Sequence, residues 1–130
     1  MDIATRGYAN PDLLWSPGTL RERLGQSGLA IIDTRPAEIF AKGHISGARH
    51  FDLYCVNTDD TDPAPLASFT RMWADLLGWR GVRESDTIVF SGEFTDYCVA
   101  RGFWFAEYLG HGDVHVLDGG IAAWSAAGLA

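Results

Sequence analysis

Short apolar runs alternate with amphipathic stretches along this chain, and that rhythm leaves few folds open to it. Leu29-Ala30-Ile31-Ile32-Asp33 and Thr87-Ile88-Val89-Phe90 are apolar almost throughout, too short for helices, and separated by segments with helical periodicity. Runs of this kind are strands buried on both faces, which predicts βα units packed as a central parallel sheet with helices on either side, an α/β fold. At 130 residues the chain suffices for one domain with one sizeable core, spanning 1–130, and is too short for two.

Local signals place the helices between these strands. Ser16 before Pro17 reads as an N-cap with proline in the first turn, opening a helix through Leu20 and Leu24 that stops near Gly25. Pro36 starts a short helix carrying Glu38, Ile39 and Phe40, ended by Gly43, and residues 48–51 form the next strand. Residues 57–65, with Asp59, Asp60, Asp62 and two prolines, read as a solvated acidic loop. A helix over about 66–79 puts Leu66, Phe69, Met72, Trp73, Leu76 and Leu77 on one buried face and Ser68, Arg71 and Asp75 opposite. The helix over 97–109 is apolar in three stripes: Cys98, Phe105 and Leu109; Tyr97, Trp104 and Tyr108; Val99, Phe103 and Ala106. That arrangement leaves little but Glu107 for water. Either a neighbouring helix of the same domain covers it or part of it meets a second domain, and an exposed aromatic patch would favour the second.

Composition narrows the function classes. A net charge of −7 with basic residues scattered singly argues against nucleic acid and anionic membrane surfaces, which reward clustered Lys and Arg. No apolar run approaches the roughly 20 residues of a membrane span. Met1-Asp2-Ile3-Ala4-Thr5-Arg6 lacks the features of a secretory leader, so the expected location is the cytoplasm. Cys55 and Cys98 fit free thiols there, although a count of two also permits a disulfide.

Two segments carry a family resemblance: Phe40-Ala41-Lys42-Gly43-His44-Ile45-Ser46-Gly47-Ala48, and Val116-Leu117-Asp118-Gly119-Gly120-Ile121-Ala122-Ala123-Trp124. With Ile31-Ile32-Asp33-Thr34-Arg35 ahead of the first and Tyr108-Leu109-Gly110-His111 ahead of the second, the chain resembles the rhodanese (sulfurtransferase) family over nearly its whole length. It is most similar to the non-catalytic N-terminal domain of tandem thiosulfate or 3-mercaptopyruvate sulfurtransferases. The resemblance places the family's nucleophilic cysteine at Ser91 and its anion-binding loop at Gly92, Glu93, Phe94, Thr95 and Asp96. In active relatives the loop amides and the following helix dipole stabilise a thiolate, a persulfide or a bound anion.

Three departures follow. A serine hydroxyl is too weakly acidic to ionise as a thiol does and cannot store sulfane sulfur. Phe94 stands where the active loop has glycine, which predicts an obstructed cradle. Glu93 and Asp96 bring negative charge, which at ~4–6 Å opposes an anion by about 1–4 kcal/mol. The bland reading of Ser91 is a helix cap or loop turn. A serine esterase would need the missing Gly-x-Ser-x-Gly elbow, and a phosphatase a cysteine and an arginine flanking the loop, where Tyr97 stands.

Other candidates read as structural. Cys98 lies in the first helical turn but shares its stripe with Phe105 and Leu109, so it is expected in the core; Cys55 has no catalytic partner at a recognisable spacing. His44 is expected to hold the loop before the 48–51 strand, and His111 and His115, separated by a turn, cannot share a helical face as zinc ligands. The resemblance implies a substrate-carboxylate role for Arg35; without a nucleophile, an ion pair with Asp33 is the favoured reading. Asp118-Gly119-Gly120 is a tight turn opening a helix, with Trp124 in the core. The end at Ser125 to Ala130 reads as the start of an interdomain linker, a natural stop or a fragment's edge.

The expectation is a catalytically silent rhodanese-like domain, needing no metal or organic cofactor, that serves as the structural or interface partner of an active one. Its partners would be a second rhodanese domain, or another protein, at the aromatic helix. The alternatives are a sulfurtransferase whose cysteine was replaced at position 91, engineered or native, taking small sulfur anions, and a stand-alone protein-binding module.

Overall fold

The computed structural model describes residues 2–130 and contains the expected α/β architecture. After two 3₁₀ turns at Ile3–Thr5 and Pro11–Leu13, the order is β1 (Leu14–Trp15), α1 (Pro17–Arg23), β2 (Leu29–Asp33), α2 (Ala37–Lys42), β3 (Arg49–His50), α3 (Pro63–Trp79), β4 (Thr87–Ser91), α4 (Tyr97–Tyr108), β5 (Val114–Leu117) and α5 (Gly120–Ala126). The sheet runs β1-β5-β4-β2-β3 with every pair parallel. From β2 the chain moves outward to β3; from β4 it moves the opposite way to β5. The strand order therefore reverses between β2 and β4, and in open parallel sheets the crevice beyond the carboxyl ends at such a reversal is where ligands gather. Asp33 and Ser91 are register partners at that place.

Strand alternation divides the core. Ala30 and Ile32 of β2, Ile88 and Phe90 of β4, and Val114 and Val116 of β5 face one layer, packed against Trp73 and Leu77 of α3 and Val99 and Ala106 of α4. Ile31, Val89 and Leu117 face the other, with Trp15, Leu20 and Trp124. Each large side chain fully buried this way contributes about 1.5–3 kcal/mol. Ser91 continues the alternation of Val89, so its side chain belongs to the second layer and is wholly buried.

Several boundaries match the sequence reading. Ser16 caps α1, its Oγ accepting the Thr19 amide, and Gly43 closes α2. Three expectations are corrected. The acidic loop ends sooner than 65, because Pro63 and Pro65 sit inside the first turn of α3, where a missing N–H costs no intrahelical bond. Met72 is 40% exposed and not on the buried face. Helix α4 keeps far more than Glu107 in water: Tyr97, Trp104 and Tyr108 are 59%, 67% and 64% exposed, so the middle stripe of the three faces outward.

Gly102 fixes how closely α4 lies on the sheet. A Cβ there would stand 2.5 Å from Cδ1 of Phe90 and 2.9 Å from Cδ1 of Leu53. Gly102→Ala is expected to destabilise the fold by about 1–3 kcal/mol, because Phe90 is fully buried and has nowhere to retreat. A urea midpoint equal to that of the parent would contradict this packing.

Candidate functional site

The crevice between the ends of β2 and β4 is built from residues 33–35 and 91–96. The Ser91 carbonyl accepts two bonds from Thr34, from the amide at 2.8 Å and from Oγ1 at 3.1 Å. The Ser91 hydroxyl donates one long bond, 3.5 Å, to the Ile32 carbonyl. Ser91 is therefore the last residue of β4 and not a helix cap. The cap of α4 is Asp96, whose carboxylate accepts the Val99 amide at 3.1 Å. Among the described residues no histidine, lysine or carboxylate hydrogen-bonds the Ser91 hydroxyl, so a serine nucleophile would lack a base.

The loop beyond Ser91 is docked by its carbonyls. The Ile121 amide donates to the Gly92 carbonyl at 2.8 Å and the Ala122 amide to the Glu93 carbonyl at 3.0 Å, so amides in the first turn of α5 are satisfied by the loop itself. The Gly119 amide donates to Thr95 Oγ1 at 2.8 Å. Peptide planes are flat and trans, so the Glu93 and Phe94 amides, opposite those carbonyls, aim away from α5. Two glycines make the fit: Gly119 and Gly120 have φ of +75° and +62°, and a Cβ on Gly120 would stand 2.5 Å from the Gly92 carbonyl oxygen. Phe94, expected to obstruct a cradle, is 60% exposed.

Arg35 is the charged centre of the crevice. Its Nη2 donates to Asp33 at 2.8 Å and to the Gly43 carbonyl at 2.8 Å, and its Nε donates to Asp33 at 3.0 Å. Asp33 is fully buried and Arg35 nearly so. Hydrogen bonding to Asp33 raises the guanidinium pKa against the opposing effect of burial. Nη1 lies 3.5 Å from the half-exposed Glu93 carboxylate. The ion pair with Asp33 expected from sequence is present, and Glu93 joins it. Each acidic loop residue has a partner, since Glu93 makes a second, longer ion pair with Arg35 and Asp96 caps α4.

Sequence reasoning therefore singled out Ser91, Glu93, Thr95 and Arg35, and missed Thr34 and Gly120 as residues that hold the loop. The Asp118-Gly119-Gly120 motif was the available signal. It was read as a turn, and its contact with residues 92–95 lies some 25 positions away in sequence. The other candidates stay apart. Cys98 is buried, its thiol pKa raised first by burial and then by the Asp96 carboxylate, while Cys55 is exposed. His44 bonds the Phe40 carbonyl at 2.8 Å and stacks on its ring. His111 contacts the Asp86 carbonyl, whereas His115 bonds Asp113 and the Asp12 carbonyl. Among the described residues, no helix is long and apolar enough to cross a membrane.

Residues 16–127 match the family model described as a rhodanese-like domain. SseA of Mycobacterium leprae is 34% identical over 121 residues, covering 92% of this chain and 40% of that protein. A thiosulfate sulfurtransferase of Corynebacterium glutamicum is 31% identical over 121 residues, covering 92% and 39%. The chain thus spans about two fifths of the length of these curated relatives. Among solved structures, a 3-mercaptopyruvate sulfotransferase, SseA of Escherichia coli, superposes with a TM-score of 0.75 at 23% identity, over 90% of this chain and 50% of that one.

Two outcomes test this geometry. Arg35→Ala, which leaves Asp33 buried without its partner, is expected to cost about 3–5 kcal/mol, read from denaturant midpoints. In the folded protein a thiol reagent should modify Cys55 quickly and Cys98 only after unfolding. Ser91→Cys should add no fast-reacting thiol, and a second fast thiol in that variant would mean the buried position opens to solvent.

Proposed function

The chain belongs to the rhodanese-like family, and on that premise we propose that it is a catalytically silent domain of that family, serving as structural and interface partner of an active rhodanese-like domain. The observation that carries this reading is the state of Ser91. Its side chain stands in the position the resemblance assigns to the sulfur nucleophile, yet it is wholly buried, holds only a long bond to Ile32, and is an oxygen. A serine hydroxyl cannot form the persulfide on which sulfur transfer in this family depends.

The surroundings of Ser91 support the same reading. Its loop is tied down by four contacts, to Thr34, Ile121, Ala122 and Gly119, and the Arg35 guanidinium is already engaged by two carboxylates, Asp33 and Glu93. An incoming sulfur anion would have to displace carboxylates from Arg35 to gain its charge. The length of the relatives, more than twice that of this chain, and the outward aromatic stripe of α4 support an interface role.

The test is sulfur transfer from thiosulfate to cyanide by this chain and by Ser91→Cys, with mass spectrometry for a persulfide adduct. Both forms are expected to be inert and free of adduct. Loading of the cysteine form alone would mean that serine by itself silences a surviving cradle. Turnover by the parent chain would overturn the proposal and direct attention to Cys55 and Cys98.

A further inference from the structure

The outward side of α4 borders a groove that no part of the described chain fills. Leu66 and Phe69 of α3 form one wall, and Trp104, Phe105 and Tyr108 of α4 the other, around a volume of about 620 Å³. Thr58 and Thr61 close one end, and Glu107 is the one charged residue in the lining. The indole of Trp104 stands between this groove and a second apolar groove, of about 600 Å³, shared with Leu13, Leu14 and Phe103. An indole two-thirds exposed between two apolar hollows is the arrangement that anchors an interface, because large aromatic side chains at the centre of a patch carry most of its binding energy.

The banks of the α3–α4 groove say what would fit. Asp59, Asp60 and Asp62 lead into α3 and are exposed, Glu107 is exposed on α4, and none of the four is in an ion pair among the described residues. A second copy of this chain would bring the same acids and a net charge of −7 to the contact, so like charges would face each other. A helix with an apolar stripe and basic flanks would instead bury the indole and pair with both banks.

Resting on the proposed reading of the chain as an interface partner, we propose that the α3–α4 groove receives an amphipathic helix of the active rhodanese-like domain, apolar along one stripe and flanked by Lys or Arg, with Trp104 as its anchor. The extent of the relatives beyond the matched segment supplies the additional chain in which such a helix would lie.

The probe is a synthetic helical peptide of about 18 residues, five turns, built from Leu and Lys, beside a matched peptide of Leu and Glu. Both are titrated into the full chain, by calorimetry and by amide shift mapping. The Leu/Lys peptide is expected to bind, to shift Thr58, Thr61, Phe69 and Tyr108, and to weaken with added salt, while the Leu/Glu peptide should not bind. Trp104→Ala is expected to weaken binding at least about tenfold. Glu107→Lys should weaken it severalfold and flatten the salt dependence. Trp79→Ala, removing an indole that is 79% exposed elsewhere on α3, should leave affinity unchanged.

Shifts confined to another face, equal binding of the two peptides, equal losses in the two tryptophan variants, or no binding would each overturn the proposal. So would a dimer of the chain in sedimentation that Trp104→Ala dissolves, since the occupant would then be a second copy. The sulfur-transfer assay fails or succeeds separately. Persulfide on Ser91→Cys alters the account of Ser91 while leaving the groove result standing, and peptide binding away from Trp104 ends the groove proposal with the silent reading intact.

Discussion

The docking of the loop after β4 onto the first turn of α5 is the constraint from which the character of the crevice follows. Amides at a helix start need acceptors, and here the Gly92 and Glu93 carbonyls provide them. The positive end of α5 is thereby occupied by backbone. Gly120 permits the approach, since a side chain there would collide with the same carbonyls, and Thr95 holds Gly119 from the other side. With the loop fastened at 92, 93 and 95, and the Ser91 carbonyl held by Thr34, the crevice between β2 and β4 is a braced junction.

At this junction one guanidinium serves two carboxylates. Asp33 is fully buried and is tolerable there because Arg35 returns two guanidinium nitrogens and its own backbone amide to the carboxylate. Glu93 completes the set from the loop, and Gly43 contributes its carbonyl from the end of α2. Buried charge pairs of this kind add modest net stability but penalise any arrangement that separates them. The pair joins β2, the end of α2 and the loop after β4 into one unit.

The surface tells a complementary story. The buried side of α4 is filled by Cys98, Val99, Gly102 and Ala106, while Tyr97, Trp104 and Tyr108 on its other side are exposed. Glu107 lies in the lining of the groove beside that stripe, and the exposed Asp59, Asp60 and Asp62 neighbour its Thr58 and Thr61 in sequence. The loop after β4 is held by internal hydrogen bonds, while the aromatic stripe of α4 stays exposed.

Much of the fold was legible in the sequence because its signals are local. Strand β2 was bounded correctly from four apolar residues closed by Asp33, and Ser16-Pro17 and Gly43 marked helix ends, since capping and proline geometry act within a few residues. The segments around Gly43-His44-Ile45 and Asp118-Gly119-Gly120 identified the family. The cap of α4, the partners of Glu93 and Asp96, and the outward turn of Met72 and of the Tyr97, Trp104 and Tyr108 stripe were not readable. Each depends on which distant segment arrives alongside. Periodicity states that a helix has apolar faces; only the packed sheet decides which of them finds cover, because burial is settled between elements and not within one.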